Sequence, residues 1–163
     1  MEHLPVAVLP SSRLVELLSS QNIGPTDYRP AYGGESVGLD LYCTAEPVLK
    51  QIVGEEFTTN IDVGIRVVIP RGYVGLIMDR GSIGKTALTR RAGVIDPGYT
   101  GPVFANLFGS HQALKKIAVG DKLPVQLVIV ACNTAFDIVD ADHFDQITQH
   151  SARKEGAIGS SDK

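Results

Sequence analysis

An all-β sandwich or barrel carrying one short N-terminal helix is the fold class this sequence predicts. Three observations lead there. Ile61, Val63, Ile65, Val67 and Ile69 alternate with mostly polar or flexible residues, the period-two pattern of a half-buried strand. Residues 123–130 are apolar almost throughout, as a strand buried on both faces would be. Turn chemistry separates the apolar runs, at Pro70-Arg71-Gly72 and at Asp96-Pro97-Gly98-Tyr99. Strands this dense, joined by turns, build sheets that pack on one another or close.

The elements follow in order. Pro10-Ser11-Ser12 before Leu14, Leu17 and Leu18 predicts a short capped helix, ended near Asn22-Ile23-Gly24-Pro25. Residues 26–36, rich in Pro, Gly and Tyr, are expected to be irregular. After the long alternating strand and its turn, residues 73–78 form the next strand. Val94-Ile95 leads into the Asp-Pro-Gly-Tyr reversal, and Val103, Ala105 and Leu107 lead out of it as the second arm of a hairpin. Pro97 presets φ for that turn, and Gly98 is expected to take positive φ. Residues 123–130 and 136–139 complete the strands. No internal repeat is visible. Residues 149–163 carry Ser, Gly and charge without periodicity, so the chain divides into a β domain at 1–148, with 1–35 as an N-terminal extension, and a flexible arm at 149–163.

Size and composition narrow the function. A chain of 163 residues, 44% hydrophobic and 20% charged, is one ordinary globular domain. The formal charge of −3 argues against a nucleic-acid-coating protein, which carries a basic surface. A phosphate-bearing small molecule needs only a few local cations and stays compatible. No apolar run reaches a membrane span and Met1-Glu2-His3 opens no secretory signal, so an intracellular location (cytoplasm or nucleus) without membrane partners is expected. Cys43 and Cys132 read as buried thiols of a reducing compartment. The four histidines show no ligand spacing for zinc.

Four places hold residues that carry chemistry. Asp96 is either the stabiliser of a plain turn or a general base, three residues from a ring able to stack on a base or sugar. Arg80-Gly81-Ser82-Ile83-Gly84-Lys85-Thr86 is a glycine-containing loop after a strand. It lacks the first glycine of a P-loop, where Asp79 stands, and the long helix that must follow. It is a surface loop or a local anion cradle. Asp40, between Leu39 and Leu41, is an edge residue or a functional carboxylate. Gln126, polar in an apolar run, must bond either backbone or a ligand.

Taken in order, these segments resemble the five motifs of the trimeric dUTPase (deoxyuridine triphosphate nucleotidohydrolase) family. Ser36-Val37-Gly38-Leu39-Asp40-Leu41 is similar to the first and Arg80-Gly81-Ser82-Ile83-Gly84 to the second. Ala92-Gly93-Val94-Ile95-Asp96-Pro97-Gly98-Tyr99-Thr100-Gly101, the most specific, is similar to the third. Residues 120–127 are similar to the fourth, and 153–161 are a degraded fifth. The resemblance implies a jelly-roll-like β-barrel, a homotrimer with active sites between subunits, and hydrolysis of dUTP to dUMP and pyrophosphate. It implies that Asp96 orients the attacking water and that Tyr99 packs on the deoxyribose. Gly93, Val94 and Ile95 would present backbone groups to uracil. Arg80, Gly81, Ser82 and Gln126 would hold phosphate. Mg2+ would be held by the triphosphate and water, with Asp40 reaching it through water. Arg153, Ile158, Gly159 and Ser160 would close over the nucleotide from the arm, which can extend about 45 Å from Asp140 to Arg153 and reach a neighbouring subunit.

The chain departs from the family pattern in four places. Gly81 stands where a serine is usual, and Arg90-Arg91 where small or amide-bearing residues are usual. The fourth motif has one extra residue, and Ile158 replaces a phenylalanine that stacks on uracil, at a cost of roughly 1 kcal/mol. Two other readings compete: a non-catalytic regulatory or interaction protein on the same scaffold, and a dCTP deaminase-like enzyme. The deaminase needs a glutamate after the turn, where Asn106 stands and cannot serve as a base.

Overall fold

Ser11 starts the first helix: its Oγ accepts the Leu14 N–H at 3.2 Å. The structure, a computed structural model, describes residues 6–133 and 135–149. Strand β1 (Ala7–Pro10) precedes that helix, α1 (Ser12–Ser20). Leu14 and Leu18, one turn apart, are fully buried. The helix stops where Asn22 turns left-handed (φ 61°) and the Ile23 N–H returns to the Leu18 carbonyl. Residues 25–34 hold two short 3-10 turns, as the irregular composition predicts.

The strands are β2 (Gly38–Tyr42), β3 (Lys50–Val53), β4 (Glu56–Val68), β5 (Tyr73–Asp79), β6 (Leu88–Arg91), β7 (Val94–Ile95), β8 (Pro102–Ser110) and β9 (Lys122–Ala131). A four-residue helix, α2 (His111–Leu114), follows β8. One antiparallel sheet runs β1-β4-β8-β6 with β3 also on β4; the other runs β2-β9-β5-β7. Inward residues of both sheets meet in one core: Ile61, Val63, Ile65 and Val67 from β4, Val103, Ala105 and Leu107 from β8, and Leu123, Val125 and Leu127 from β9. This is the all-β, jelly-roll-like architecture the strand pattern predicts.

Gly64 (φ 69°) shifts the register of β4 between Asp62 and Arg66. A Cβ there would meet Thr44 Cγ2 at 2.6 Å, and Asp62 Oδ1 takes the Gly64 N–H at 2.7 Å. The bulge thus needs glycine.

Several expectations are corrected. Strand β9 is not buried on both faces: Leu123, Val125 and Leu127 point into the core, while Val130 on the other face is exposed. It reads as continuous because its outer face is apolar too. Cys132 is exposed, and only Cys43 is buried. Burial pushes the Cys43 thiol up to about 11. Strands β3 and β6 carry too few apolar residues to stand out; pairing with β4 and β8 makes them.

The chain divides into two compact units, residues 1–133 and 134–163. In the second, residues 136–139 are not a strand. An unforeseen helix, α3 (Ala141–Thr148), is capped by Asp140, whose Oδ1 accepts the His143 N–H at 2.8 Å. Among the described residues, no helix is long and apolar enough to cross a membrane.

Candidate active site

After β6 the chain turns sharply. Ala92 (φ 55°) and Gly93 (φ 115°) are both left-handed. Gly93 lies so close to β5 that a Cβ would sit 2.8 Å from Ile77 Cβ, and its carbonyl accepts the Ile77 N–H at 2.7 Å. The two-residue strand β7 then pairs with β5, Ile95 opposite Gly75, leaving Ile95 buried and Val94 exposed. The Tyr99 N–H closes the reversal on the Asp96 carbonyl at 3.0 Å. Gly98 is not left-handed, contrary to expectation; the positive φ values fall at Ala92 and Gly93 instead. Nor is the segment a hairpin, because β7 lies in one sheet and β8 in the other. The turn carries the chain between sheets and leaves the Asp96 carboxylate in solvent.

Tyr99 folds back over Gly101, where a Cβ would lie 2.5 Å from the phenol oxygen, and donates its hydroxyl to the Pro102 carbonyl at 2.7 Å. One ring face is thereby fixed, and 42% of the residue stays exposed. Beside it opens a cavity of about 250 Å³, bounded by Gly93, Val94, Asp96 and Tyr99 and by Asn60, Arg91, Phe104 and Asn106 of the other sheet. Asn60 and Asn106 are register partners across β4 and β8. Arg91 lies over the Phe108 ring, 3.7 Å from its centroid. The cavity is smaller than typical ligand pockets of about 300–1,000 Å³.

A second cluster spans β2, β9 and the end of β5 in the β2-β9-β5-β7 sheet. Asp40, in mid-β2, stands opposite Gln126 of β9. Its Oδ1 is 2.8 Å from Arg80 Nε and its Oδ2 is 2.9 Å from Lys122 Nζ. Arg80 also donates to the Leu123 carbonyl at 3.1 Å. A guanidinium has five N–H donors, so these contacts fix its plane without exhausting it. One carboxylate between two cations leaves the cluster net positive. The hydrogen bond to Asp40 raises the Lys122 pKa above its ordinary value, against partial desolvation. Gln126 donates to the Asp79 carbonyl at 3.0 Å, which engages one of the two N–H donors of its amide. A Cβ on Gly38 would collide with the Gln126 carboxamide, which explains glycine at that position. Gly81 and Ser82 lie in a 3-10 turn, Gly81–Lys85, and both are exposed. Ser82 borders a cavity of about 430 Å³ together with Lys85, Lys116 and Lys122.

Within one chain the two clusters stay apart. Asp40 is on the β2 edge and β7 is the opposite edge, three strand spacings or about 14 Å away. None of Asp40, Arg80, Ser82 and Gln126 borders the Asp96–Tyr99 cavity. Arg153, Ile158, Gly159 and Ser160 lie outside the described residues. Nothing local in the sequence pairs Lys122 with Asp40 or marks Asn60 and Phe104 as cavity walls. Lys122 was visible as the polar start of an apolar strand, but its partner depends on register. Asn60 and Phe104 carried no signal.

The dUTPase family profile matches residues 28–162. The deoxyuridine 5'-triphosphate nucleotidohydrolase of Escherichia phage T5 is 30% identical over 141 residues, covering 83% of this chain and 92% of that protein. The Arabidopsis thaliana enzyme of the same name is 31% identical over 147 residues, covering 90% and 80%. Among solved structures, a variant of the Staphylococcus bacteriophage 80alpha dUTPase with dUpNHpp aligns with a TM-score of 0.69 at 22% identity, covering 98% of this chain and 99% of that one. A variant of the dUTPase from phage phi11 of S. aureus, solved with a structural Mg(II) ion, aligns at 0.59 and 23% identity, covering 87% and 99%. The two structural likenesses concern the fold.

Proposed function

The chain belongs to the dUTPase family and hydrolyses dUTP, and we propose that water attacks the α-phosphorus with Asp96 as its base. The observation that carries this reading is the cavity in which an exposed carboxylate and a fixed aromatic face sit on one rigid corner. In the step, the water oxygen bonds to the α-phosphorus as the bond to the bridging oxygen breaks. The water's proton passes to Asp96, and pyrophosphate departs. Tyr99 walls off the 2′ side of the sugar, and backbone groups of Gly93, Val94 and Ile95 face the base. Arg80, aimed by Asp40, and the Lys122 ammonium supply prearranged positive charge for the phosphates, at no reorganisation cost in the transition state.

Enzymes of the family use Mg2+. Among the described residues, no group of three or more His, Cys, Asp or Glu forms a metal cage. Both oxygens of Asp40 already accept a cation. That donor set fits an ion carried by phosphate oxygens and water, with Asp40 reaching a bound water through its remaining lone pairs. When bound, the ion neutralises charge on the triphosphate.

Separation of the two clusters within one chain supports a homotrimer in which a complete site takes Asp96 and Tyr99 from one copy and Arg80 and Gln126 from another. Residues 153–161 complete the site in this reading. The direct test is pyrophosphate release from dUTP with magnesium, against UTP, dTTP and dCTP. Mixing inactive Asp96→Asn and Arg80→Ala variants tests the sharing. Subunit exchange restores part of the activity if sites are shared, and none if each chain builds its own.

A further inference from the structure

Arg90 lies outside every motif-bearing position, and the family pattern places a small or amide-bearing residue there. In this chain it spans two sheets. Its strand, β6, belongs to the β1-β4-β8-β6 sheet, yet its Nε lies 3.2 Å from Oδ1 of Asp79, at the end of β5 in the other. Its Nη1 donates to the Ala92 carbonyl at 2.8 Å. Both partners are strategic. Asp79 directly precedes Arg80, and its own carbonyl accepts the Gln126 amide at 3.0 Å. Ala92 is a non-glycine residue held left-handed, and with Gly93 it forms the wall of the Asp96–Tyr99 cavity. Left-handed φ strains an L-residue, and contacts from outside the turn can hold it there.

We propose that Arg90 is a positioning residue that locks the Ala92–Gly93 corner of the nucleoside pocket to the phosphate-binding end of β5. The inference rests on the dUTPase reading above for the meaning of the pocket, and on geometry alone for the lock. Arginine suits the task because its planar fork bonds two partners at a set angle. A lysine ammonium is a point charge without that fork, so it can hold Asp79 while losing the carbonyl. The Arg90 side chain is about three-quarters buried at this seam and that of Asp79 about half, so solvent screens the ion pair in part and the Ala92 carbonyl contact shares the restraint.

The test uses the full chain with Arg90→Ala, Arg90→Lys, Asp79→Asn and the double variant Asp79→Asn/Arg90→Ala. The corner touches the nucleoside in ground and transition states alike. Its loosening should therefore raise the dUMP dissociation constant and the KM for dUTP about five- to tenfold, with kcat falling by a smaller factor. Arg90→Lys should lie between wild type and Arg90→Ala. The double variant should be no worse than Arg90→Ala alone, since Asp79 acts through the arginine. A second readout is independent of nucleotide chemistry. Exchange of the Ile77 amide, bonded to the Gly93 carbonyl, should accelerate about tenfold in Arg90→Ala. Unchanged dUMP affinity and Ile77 protection in a folded Arg90→Ala protein, or additive effects of the two substitutions, overturn the proposal. If Arg90→Ala does not fold, Arg90→Lys and Asp79→Asn decide it by the same two measurements. Wild-type protein that fails to release pyrophosphate from dUTP overturns the enzymatic reading, and the Ile77 exchange still judges the lock.

Discussion

Asp40 Oδ1 and Arg80 Nε lie 2.8 Å apart, the first in mid-β2 and the second just past β5, with β9 between those strands. Asp40 therefore acts as a bracket. It holds Arg80 on one oxygen and Lys122 on the other. Asp40→Asn should cost about 1–2 kcal/mol in urea unfolding, because a partly buried charge pair loses one member. Turnover should fall at least tenfold as Arg80 loses its aim. A variant with wild-type stability and turnover would mean the pair is incidental.

Asp96→Asn should leave folding and dUMP affinity near wild type, because the side chain is solvent-exposed and its turn is closed by backbone. Turnover should fall by roughly 10²–10⁴, the usual contribution of a positioned base. Calorimetric dUMP binding alongside pyrophosphate release separates the two quantities.

Tyr99 divides into a ring and a hydroxyl. Tyr99→Phe removes only the bond to Pro102 and should weaken binding by about 1 kcal/mol with the dUTP-to-UTP preference kept. Tyr99→Ala removes the wall and should narrow that preference. The ratio of kcat/KM for dUTP and UTP is the measurement; an unchanged ratio in Tyr99→Ala assigns sugar selection elsewhere.

Stability should decline at alkaline pH. Burial raises the Cys43 thiol to about 11 from its ordinary value of 9.0, and Asp40 raises Lys122. A group whose pKa is raised on folding contributes stability fully below its unfolded value, and loses it as pH rises through the folded one. The cysteine window therefore opens near pH 9 and closes above about 11, and the lysine contribution is lost at higher pH. Urea midpoints from pH 8 to 11.5 should fall, and the slope between 9 and 11 should flatten in Cys43→Ala.

Gly81 replaces the usual serine without structural need. A Cβ there meets nothing within 4 Å, and its φ is not left-handed. Gly81→Ser should keep the melting temperature within the shift of about 0.5 kcal/mol typical of surface changes. It should also hold or lower the KM for dUTP by adding a hydroxyl beside Arg80. A raised KM in a stable variant would show that the serine obstructs the phosphates here.

Local chemistry was legible because it needs only near neighbours. Ser11 capping α1, the alternation of β4, the 3-10 irregularity before β2 and the closure of Asp96 on Tyr99 all depend on residues a few positions apart. Where two elements have to meet, local pattern no longer decides the outcome. Val130 is as apolar as Val125, yet only pairing and stacking of sheets decide which of them faces the core. Thr-Arg-Arg in β6 becomes a strand because β8 offers it a partner. Gly98 looked like the residue needing positive φ, but the tight approach to Ile77 moves that demand to Ala92 and Gly93.

The pattern along the chain specifies the two-sheet class and the turn that presents Asp96 and Tyr99. How the charged side chains group is set by packing. The β2–β9–β5 register brings Asp40, Arg80 and Lys122 within hydrogen-bond reach, although they lie far apart along the chain. The crossing from one sheet to the other puts the Asp96–Tyr99 cavity at the β7 edge, opposite Asp40 on the β2 edge. Ion pairs and cavity walls fall off within a few ångströms, while strand register is set by the core that both sheets share. The grouping is therefore a property of the packed fold, which no window along the chain contains.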